Sequence, residues 1–446
     1  MRITLVFLIL LLESFSVSAQ SDATTSYFKD PGFNINVFVE QRSLDKPQSM
    51  LLVHGLGNNA SKDWTHIVEE FAKHYHTIAV DLPGFGRSQG KLEEYVTPDT
   101  YANLLHRVAN LYAKSQVTYI GHSMGGSIGL RYINKYPDQV DKAVLIDVAG
   151  ILEKTVYTKQ LLLEKLLHRE EKESSIETLA KNTLRSIAGD LLGDLLEVAD
   201  DTGLVNEARM QDPEYRKVEF EDDIDTQGAL GLIYTDFSRD LKEIKKPILL
   251  IWGSDDQVSP LRTGHLLNYH LQHSKLITIS GEGHTPHIGS ANIVSEKIFR
   301  WLKEPTFENI NFPKTSDRTY TCKKKKLDQA LTGSFSEMRI KQCKNVKLHN
   351  VSAKNIILES SEVEFLNVKI ISSGVGLTTT GTELKATNLV IEAPVGINTS
   401  GSVLDIAGAT IIYTKESHTA KGSIIYWSTS YLKKRGSSQQ FLHEKQ

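Results

Sequence analysis

Short apolar runs alternate with amphipathic stretches along residues 33–302. The apolar runs are rich in Val, Ile and Leu and show little alternation, which is typical of strands that are buried on both faces. Between them, residues 99–114 and 127–135 place their apolar side chains at helical spacing. This repetition predicts an α/β fold, a doubly wound and mostly parallel sheet with helices on both faces. The predicted strands are residues 50–54, 77–81, 117–121, 143–147, 248–253 and 276–280.

The repetition stops between about residues 151 and 241, where the pattern contains no strand. Apolar positions recur there at helical spacing, and acidic and basic residues fill the other positions. These apolar positions include Leu161, Leu162, Leu166, Ile176, Leu179 and Leu184. We expect a helical insertion between two strands of the sheet. It is either a helical subdomain without a function of its own or a lid over an active site.

The composition changes after residue 303. Residues 304–326 contain two prolines and a run of lysines, which predicts a linker. Residues 327–432 are rich in Val, Ile, Thr, Ser, Asn and Gly and have almost no helical period, so we expect an all-β domain there. The polar residues 433–446 predict a frayed tail. With the signal segment described below, the first domain is expected to span residues 20–303.

An internal repeat is visible in the predicted β domain. Residues 374–384 align with residues 394–404 at an offset of 20. A repeat of this length in β-rich sequence predicts a solenoid of stacked coils, which resembles right-handed parallel β-helices. Cys322 and Cys343 are the two cysteines of the chain and lie 21 residues apart, so they are expected to stack on neighbouring coils or to form a disulfide.

The first 19 residues have the pattern of a secretory signal peptide. Arg2 is followed by the apolar residues 3–12, and small residues precede a cleavage position near Ala19. The apolar run is too short to span a membrane, although an uncleaved anchor is the alternative. Export would place the chain in an oxidising compartment. The net charge of −3 and the lack of a basic patch interleaved with aromatic residues argue against a nucleic-acid partner.

The segment 121–126 reads Gly-His-Ser-Met-Gly-Gly and directly follows a predicted strand. In the pattern G-x-S-x-G the serine sits on a strained turn from strand to helix, with its hydroxyl exposed for nucleophilic attack. The alternative is an ordinary glycine-rich turn, because the motif alone is short. Ser123 is therefore the candidate nucleophile, and other parts of the chain decide between the two interpretations.

Three further loops each follow a predicted strand. The loop that begins at His54 is glycine-rich and offers the Leu56 N–H, which together with the Met124 N–H would form an oxyanion hole. Asp256 and His284 follow the strands at 248–253 and 276–280. A serine needs an imidazole base, and the base needs a carboxylate to orient it. We assign Ser123 as nucleophile, His284 as base and then acid, and Asp256 as the orienting group.

Together these landmarks resemble one known family. The matching segments are residues 54–57, 81–88, 121–126, 253–260 and 283–284. On these segments residues 33–302 resemble the α/β-hydrolase family, in its lid-bearing branch of serine esterases, monoacylglycerol-type lipases and carbon–carbon hydrolases. The resemblance implies a helical lid at about 151–241, and it favours Asp256 because the family places its acid three residues after the glycine.

Several neighbouring residues have competing interpretations. Asp255 is expected to cap a helix or face solvent, and Asp147 is the second choice for the acid because some family members take it from that strand. His122 is more often a structural neighbour of the turn than a base, and His287 more often packs than ligates. The chain has no carboxylate–histidine motif for a metal, and no cofactor is implied.

The expected function is an exported serine hydrolase that cleaves carboxylic esters through an acyl-enzyme. A small-molecule or lipid ester, for example one like a monoacylglycerol, is the expected substrate. One alternative is a surface or glycan-binding attachment protein, in which the solenoid binds a glycan or protein partner. Another is a carbon–carbon bond hydrolase acting on a diketone, against which export argues. These patterns leave the oligomeric state open.

Overall fold

The computed structural model describes residues 23–153, 209–221 and 223–446. The predicted signal peptide, residues 1–19, lies outside the described residues. So does most of the predicted helical insertion, of which residues 151–153 and the part from residue 209 onward are described. No helix in these described ranges is both long enough and apolar enough to cross a membrane.

An eight-stranded sheet forms the centre of the first domain, in the order β1-β2-β4-β3-β5-β6-β7-β8 among the described residues. Neighbouring strands from β4 to β8 are parallel, whereas β1 and β2 form an antiparallel edge. The six predicted strands are confirmed as β3 to β8, and the antiparallel edge is additional. The bounds are β1 Ala23–Lys29, β2 Asn36–Arg42, β3 Ser49–Val53, β4 His76–Val80, β5 Val117–His122, β6 Val140–Ile146, β7 Ile248–Gly253 and β8 Ser274–Ile279.

Helices follow the strands and cover both faces of this sheet. Helix α2 begins at Pro98 because the Thr97 side chain accepts a hydrogen bond from the Thr100 N–H at 3.2 Å. The described end of the insertion forms α4 to α6. The helices are α1 Thr65–Ala72, α2 Pro98–Tyr112, α3 Met124–Lys135, α4 Pro213–Glu219, α5 Ile224–Ile233, α6 Ser238–Glu243, α7 Leu261–His270, α8 Pro286–Gly289 and α9 Ala291–Lys303.

The second region, residues 319–446, consists of strands and is called the C-terminal β region. Leu377 pairs with Ile397 and Thr379 with Thr399, which confirms the predicted offset of 20 residues. Apart from the antiparallel pair β19 and β20, the paired strands in this region are parallel. The strands are β9 Thr319–Lys323, β10 Leu331–Ser334, β11 Glu337–Lys341, β12 Val346–Ala353, β13 Asn355–Glu359, β14 Glu362–Ile371, β15 Val375–Thr380, β16 Glu383–Ser400, β17 Val403–Ala407, β18 Thr410–Lys421, β19 Ile424–Lys434 and β20 Gln439–Lys445.

Asparagines stack where these strands bend. Asn350, Asn367 and Asn388 all have left-handed backbones, with φ of 53°, 57° and 58°. The Asn388 amide donates to Asn367 at 2.9 Å, and the Asn367 amide donates to Asn350 at 3.0 Å. Asparagine tolerates this backbone better than most residues, so the stack both permits the bends and satisfies their polar groups.

Two predicted boundaries are wrong. Strand β9 and the disulfide between Cys322 and Cys343 lie inside or next to the predicted linker 304–326, so the β region begins earlier. The predicted frayed tail 433–446 contains strand β20, which pairs antiparallel with β19. Leu442 on β20 is buried, so its apolar side chain and the backbone pairing hold this polar segment in place.

The C-terminal β region packs directly on the first domain. Arg262 on α7 pairs with Asp405 and donates to Thr387 at 3.2 Å. The Asn388 amide donates to the carbonyl of His265, also on α7, at 3.0 Å. The two regions are therefore joined by specific polar contacts rather than by a linker alone.

Candidate active site

Ser123 lies at the turn between strand β5 and helix α3. Its backbone has φ 52° and ψ −115°, a conformation that is rare for a residue with a side chain. Hydrogen bonds from the Ser123 N–H to Ile146 at 2.9 Å and from Gly126 to the Ser123 carbonyl at 3.0 Å hold the turn. The local strain is that of the nucleophile turn predicted from the motif.

The glycines of the motif are required by the close approach of strand β3. A Cβ atom at Gly125 would lie 2.2 Å from the Val53 carbonyl oxygen, and one at Gly121 would lie 2.4 Å from the Gly125 carbonyl oxygen. Any larger residue at either position would push the turn away from the sheet. The glycine spacing therefore has a steric cause at this site.

Three side chains from three loops form one hydrogen-bonded chain. The Nε2 atom of His284 lies 2.9 Å from Ser123 Oγ, and its Nδ1 atom lies 2.8 Å from Asp256 Oδ2. All three residues are buried. Asp256 Oδ1 also accepts the N–H groups of Val258 and Ser259 at 2.8 and 2.9 Å. The structure thus brings together the three residues that were selected from the sequence.

The two adjacent aspartates have different environments. Asp255 is exposed, and its carboxylate accepts a hydrogen bond from the neighbouring Ser254 hydroxyl at 2.7 Å. Asp256 points inward to His284. The choice of Asp256 over Asp255, which rested on spacing, agrees with this arrangement.

The loops that carry Asp256 and His284 touch each other through their backbones. The Asp255 N–H donates to the Glu282 carbonyl at 2.9 Å. A Cβ atom at Gly253 would lie 2.0 Å from the Gly283 carbonyl oxygen. This close contact fixes the separation between the carboxylate and the imidazole.

Two further histidines lie behind His284. His122 contacts the His284 carbonyl through Nε2 at 2.7 Å, and the ring of His287 lies 4.4 Å from the ring of His122. Burial is the main cause that lowers the pKa of His122 well below its ordinary value and the pKa of His287 to about 3. Both rings are therefore neutral packing groups near pH 7, as expected for them.

The two candidate oxyanion donors flank the nucleophile turn. Met124 is the first residue of helix α3, where an N–H has no partner within the helix. Leu56 lies in the loop after β3, and neither its N–H nor that of Met124 donates to a protein group in the described part of the chain. Both N–H groups are thus available to a bound oxyanion.

Helix α5, from the described end of the insertion, packs over these two residues. A Cβ atom at Gly228 would lie 2.8 Å from Leu56 Cδ2 and 3.4 Å from Met124 Sδ. Asp225 at the start of α5 accepts the Gly57 N–H at 3.2 Å. The insertion is therefore fixed to the loop that carries the Leu56 donor. Sequence analysis missed Asp225, because only the folded contact links it to this loop.

Apolar side chains collect beside this helix. They form one buried cluster that includes Met210, Ala229, Leu230, Ile233 and Val258, with Leu56 packed against it. Val258 directly follows the Asp256 loop, so the cluster reaches the catalytic side of the sheet. Among the described residues, no group of three or more His, Cys, Asp or Glu side chains is placed to hold a metal ion.

Comparison with known families identifies the first domain. A family model described as the alpha/beta hydrolase fold matches residues 48–291, which is more than half of the chain. The chain belongs to the α/β-hydrolase family. The match spans Ser123, Asp256 and His284 of this α/β hydrolase.

Individual relatives have different activities. The α/β hydrolase is 24% identical over 298 residues to an Escherichia coli 2-hydroxy-6-oxononadienedioate/2-hydroxy-6-oxononatrienedioate hydrolase, covering 65% of this chain and 100% of the relative. It is 26% identical over 255 residues to a pimeloyl-[acyl-carrier protein] methyl ester esterase of Hamiltonella defensa, covering 57% and 92%. A solved structure of MGS-M2, an alpha/beta hydrolase from a deep-sea metagenome, is 19% identical with a TM-score of 0.47, covering 64% and 99%.

Proposed function

We propose that this chain is an exported serine hydrolase that cleaves carboxylic esters through an acyl-enzyme. The observation that carries the proposal is the chain of hydrogen bonds from Asp256 through His284 to Ser123, with Ser123 on its strained turn. A serine hydroxyl becomes a nucleophile when an oriented imidazole can take its proton. The ester chemistry below is derived from these positions.

Ser123 Oγ attacks the ester carbonyl while His284 Nε2 takes the hydroxyl proton. The carbonyl oxygen becomes an oxyanion, which the N–H groups of Leu56 and Met124 stabilise. When the tetrahedral intermediate collapses, the C–O bond to the alcohol breaks and His284 returns the proton to the leaving alcohol. Water then attacks the acyl-enzyme with His284 as base, and the acid product and the Ser123 hydroxyl are restored.

The apolar cluster beside α5 indicates the acyl group. Its side chains carry no charge that would pair with a polar substrate, and they lie next to the proposed oxyanion site at Leu56. We therefore propose an ester with an apolar acyl chain, including lipid-like esters such as monoacylglycerols. Each buried methylene of the acyl chain should add about 0.8 kcal/mol of binding until the pocket is full.

Hydrolysis of a series of p-nitrophenyl esters tests this proposal. We expect activity to rise with acyl length to a maximum, and we expect the Ser123→Ala variant to lose it. Ser115→Ala, an exposed serine on the first domain, is the matched control and should retain activity. An active Ser123→Ala variant would contradict the proposal.

Carbon–carbon cleavage is the second candidate, because the Escherichia coli relative is named for that reaction. The same three side chains can serve either reaction, so the fold does not choose between them. A direct comparison of esters with a vinylogous diketone discriminates the two. Faster turnover of the diketone would favour the second candidate.

Export is proposed from the pattern of residues 1–19. The disulfide between the buried residues Cys322 and Cys343 supports it, because such bonds persist in oxidising compartments. N-terminal sequencing of secreted protein should begin close after Ala19. Retention of Met1 in the mature protein would contradict cleavage.

For the C-terminal β region we propose a solenoid of coils that binds a glycan. The parallel register at offsets of 18 (340 to 358) and 21 (358 to 379) residues supports stacking. A polar groove of about 800 Å³, which includes Ser336, Lys354 and Asn355, supports the binding role. Retention on insoluble polysaccharides should fall in Lys354→Ala/Asn355→Ala and not in Lys341→Ala. Equal retention of all variants would contradict the glycan role.

A further inference from the structure

A second carboxyl group lies behind the candidate active site. Asp147 follows strand β6, the neighbour of both the nucleophile strand β5 and the Asp256 strand β7. Its side chain is fully buried. The reaction steps above do not use it, so its presence in this dry region needs a separate explanation.

One oxygen of this carboxyl has a donor and the other does not. Asp147 Oδ1 accepts the Gly253 N–H at 2.9 Å. The Oδ2 atom is buried and has no hydrogen-bond donor among the described residues. A buried carboxylate oxygen without a donor is strongly unfavourable, whereas a protonated oxygen becomes a donor itself.

The acceptor for that proton is the neighbouring carboxylate. Asp256 contacts Asp147 and already accepts N–H groups from His284, Val258 and Ser259. Such donors stabilise Asp256 as the charged member of the pair. Two adjacent carboxylates cannot both be charged cheaply in a buried site, so the proton belongs on Asp147.

The backbone of Asp147 is also unusual. Its φ is 46°, in the left-handed region, and its N–H donates to the Ile251 carbonyl at 3.0 Å. Strained residues of this kind persist where the surrounding structure holds them, and they cluster at functional sites. The strain aims the carboxyl between the ends of β6 and β7.

We propose that Asp147 is a neutral carboxylic acid that donates a hydrogen bond to Asp256 and so acts as a positioning residue for the Asp256–His284 pair. The inference rests on the proposed function. Asp147 holds the Asp256 carboxylate in register with His284 and keeps a second negative charge away from the imidazole. A charged Asp147 would raise the pKa of His284 and leave the base protonated at neutral pH.

The charges around Asp147 agree with this state. Burial raises the pKa of Asp147 well above its ordinary value, and the charges of Asp256 and Glu282 raise it further, whereas the Gly253 N–H lowers it. Asp256 comes from the loop after β7 and Glu282 from the loop after β8. Both neighbouring groups are acidic, so each favours the protonated form of Asp147.

Asp147→Asn is the decisive variant, because an amide copies a neutral carboxylic acid. Its oxygen can accept the Gly253 N–H and its NH₂ can donate to Asp256. We expect kcat/KM within about twofold of the parent and an unchanged acid limb of the pH profile. Asp147→Leu lacks the donor, so kcat should fall about tenfold and the acid limb should move to higher pH.

Two results would overturn the proposal. An acid limb that moves to lower pH in Asp147→Asn means that a negative charge was removed, so Asp147 was ionised in the parent. A folded Asp147→Asn variant that loses more than about tenfold in kcat means that a neutral donor is not sufficient. Ser123→Ala separates this inference from the proposed function, because its loss of activity does not depend on Asp147.

An infrared measurement on the parent needs no variant. In protein labelled with ¹³C at the aspartate carboxyl, a protonated carboxyl band that shifts with the label should persist at neutral pH. The absence of such a band would overturn the proposal even if the variants failed to fold.

Discussion

Arg262 and Asp405 form an ion pair across the boundary between the α/β-hydrolase domain and the C-terminal β region. Only 9% of the Arg262 side chain and 21% of the Asp405 side chain are exposed. The guanidinium also donates to the Ala386 carbonyl at 3.1 Å. Because a guanidinium at such a site is held by several acceptors, the pair fixes the two regions relative to each other.

Removal of this pair should lower the stability of the whole chain. Arg262→Ala leaves Asp405 partly buried without its partner, so we expect a loss of about 2–3 kcal/mol in the free energy of unfolding. Arg300→Ala, which breaks an exposed pair with Glu296, is the matched control and should change it by about 0.5 kcal/mol or less. Denaturant unfolding measures both. Equal effects would mean that the boundary contact contributes little.

Substitution of the two adjacent aspartates should have unequal effects on catalysis. Asp256→Asn removes the charge that orients His284, and we expect kcat to fall about 10⁴-fold. Asp255→Asn changes an exposed carboxyl with no contact to His284, and activity should stay within a few fold. Steady-state hydrolysis of one ester gives both values. Comparable losses in the two variants would reverse the assignment of the acid.

Much of the candidate site could be predicted because each side chain directly follows a buried strand. Ser123, Asp256 and His284 lie just beyond β5, β7 and β8, and the carboxyl ends of parallel strands meet at one edge of the sheet. Asp225 could not be predicted in the same way, since its contact with Gly57 joins residues 168 positions apart. No local pattern encodes such a contact.

Acid should destabilise the chain through His287. Both ring nitrogens of His287 are buried without hydrogen-bond partners in the described structure, and burial lowers its pKa from 6.5 to about 3. The folded state therefore holds the ring neutral, whereas the unfolded state gains a proton below about pH 6.5. The stability from this group is complete above pH 6.5 and falls as the pH drops toward 3, by up to about 1.4 kcal/mol per pH unit.

His287→Leu should remove this part of the acid sensitivity. The loss of stability between pH 7.5 and pH 5 should become smaller than in the parent, because no buried imidazole remains to be protonated. His273→Ala, at an exposed histidine, should leave the pH dependence unchanged. Urea unfolding at the two pH values is the measurement. An unchanged slope in His287→Leu would contradict the explanation.

The asparagine stack should stabilise the C-terminal β region through both hydrogen bonds and backbone conformation. Asn367→Gly removes the side-chain hydrogen bonds to Asn350 and Asn388 but keeps the left-handed backbone, and we expect a loss of about 1–3 kcal/mol. Asn367→Ala should lose about 1 kcal/mol more, because alanine is strained at φ 57°. Thermal unfolding of the two variants separates the contributions. An Ala variant as stable as the Gly variant would exclude the backbone contribution.

The C-terminal β region shows the limits of prediction from sequence. Its 20-residue offset was visible because Leu377 and Ile397 occupy equivalent positions in the repeat and pair in the structure. Strand β20 was missed because its sequence is polar apart from Phe441 and Leu442, and the backbone pairing with β19 decides its conformation. Packing of the two regions depends on contacts such as Asn388 with His265, which no period along the chain encodes.

The central claim is that Ser123 forms the covalent intermediate, and a fluorophosphonate probe tests it most directly. The probe reacts with a serine only when a neighbouring base activates it. Peptide mass spectrometry should find one adduct, on Ser123, and Ser123→Ala should show neither the adduct nor ester hydrolysis. An adduct on another serine, or hydrolysis that persists in Ser123→Ala, would contradict the account.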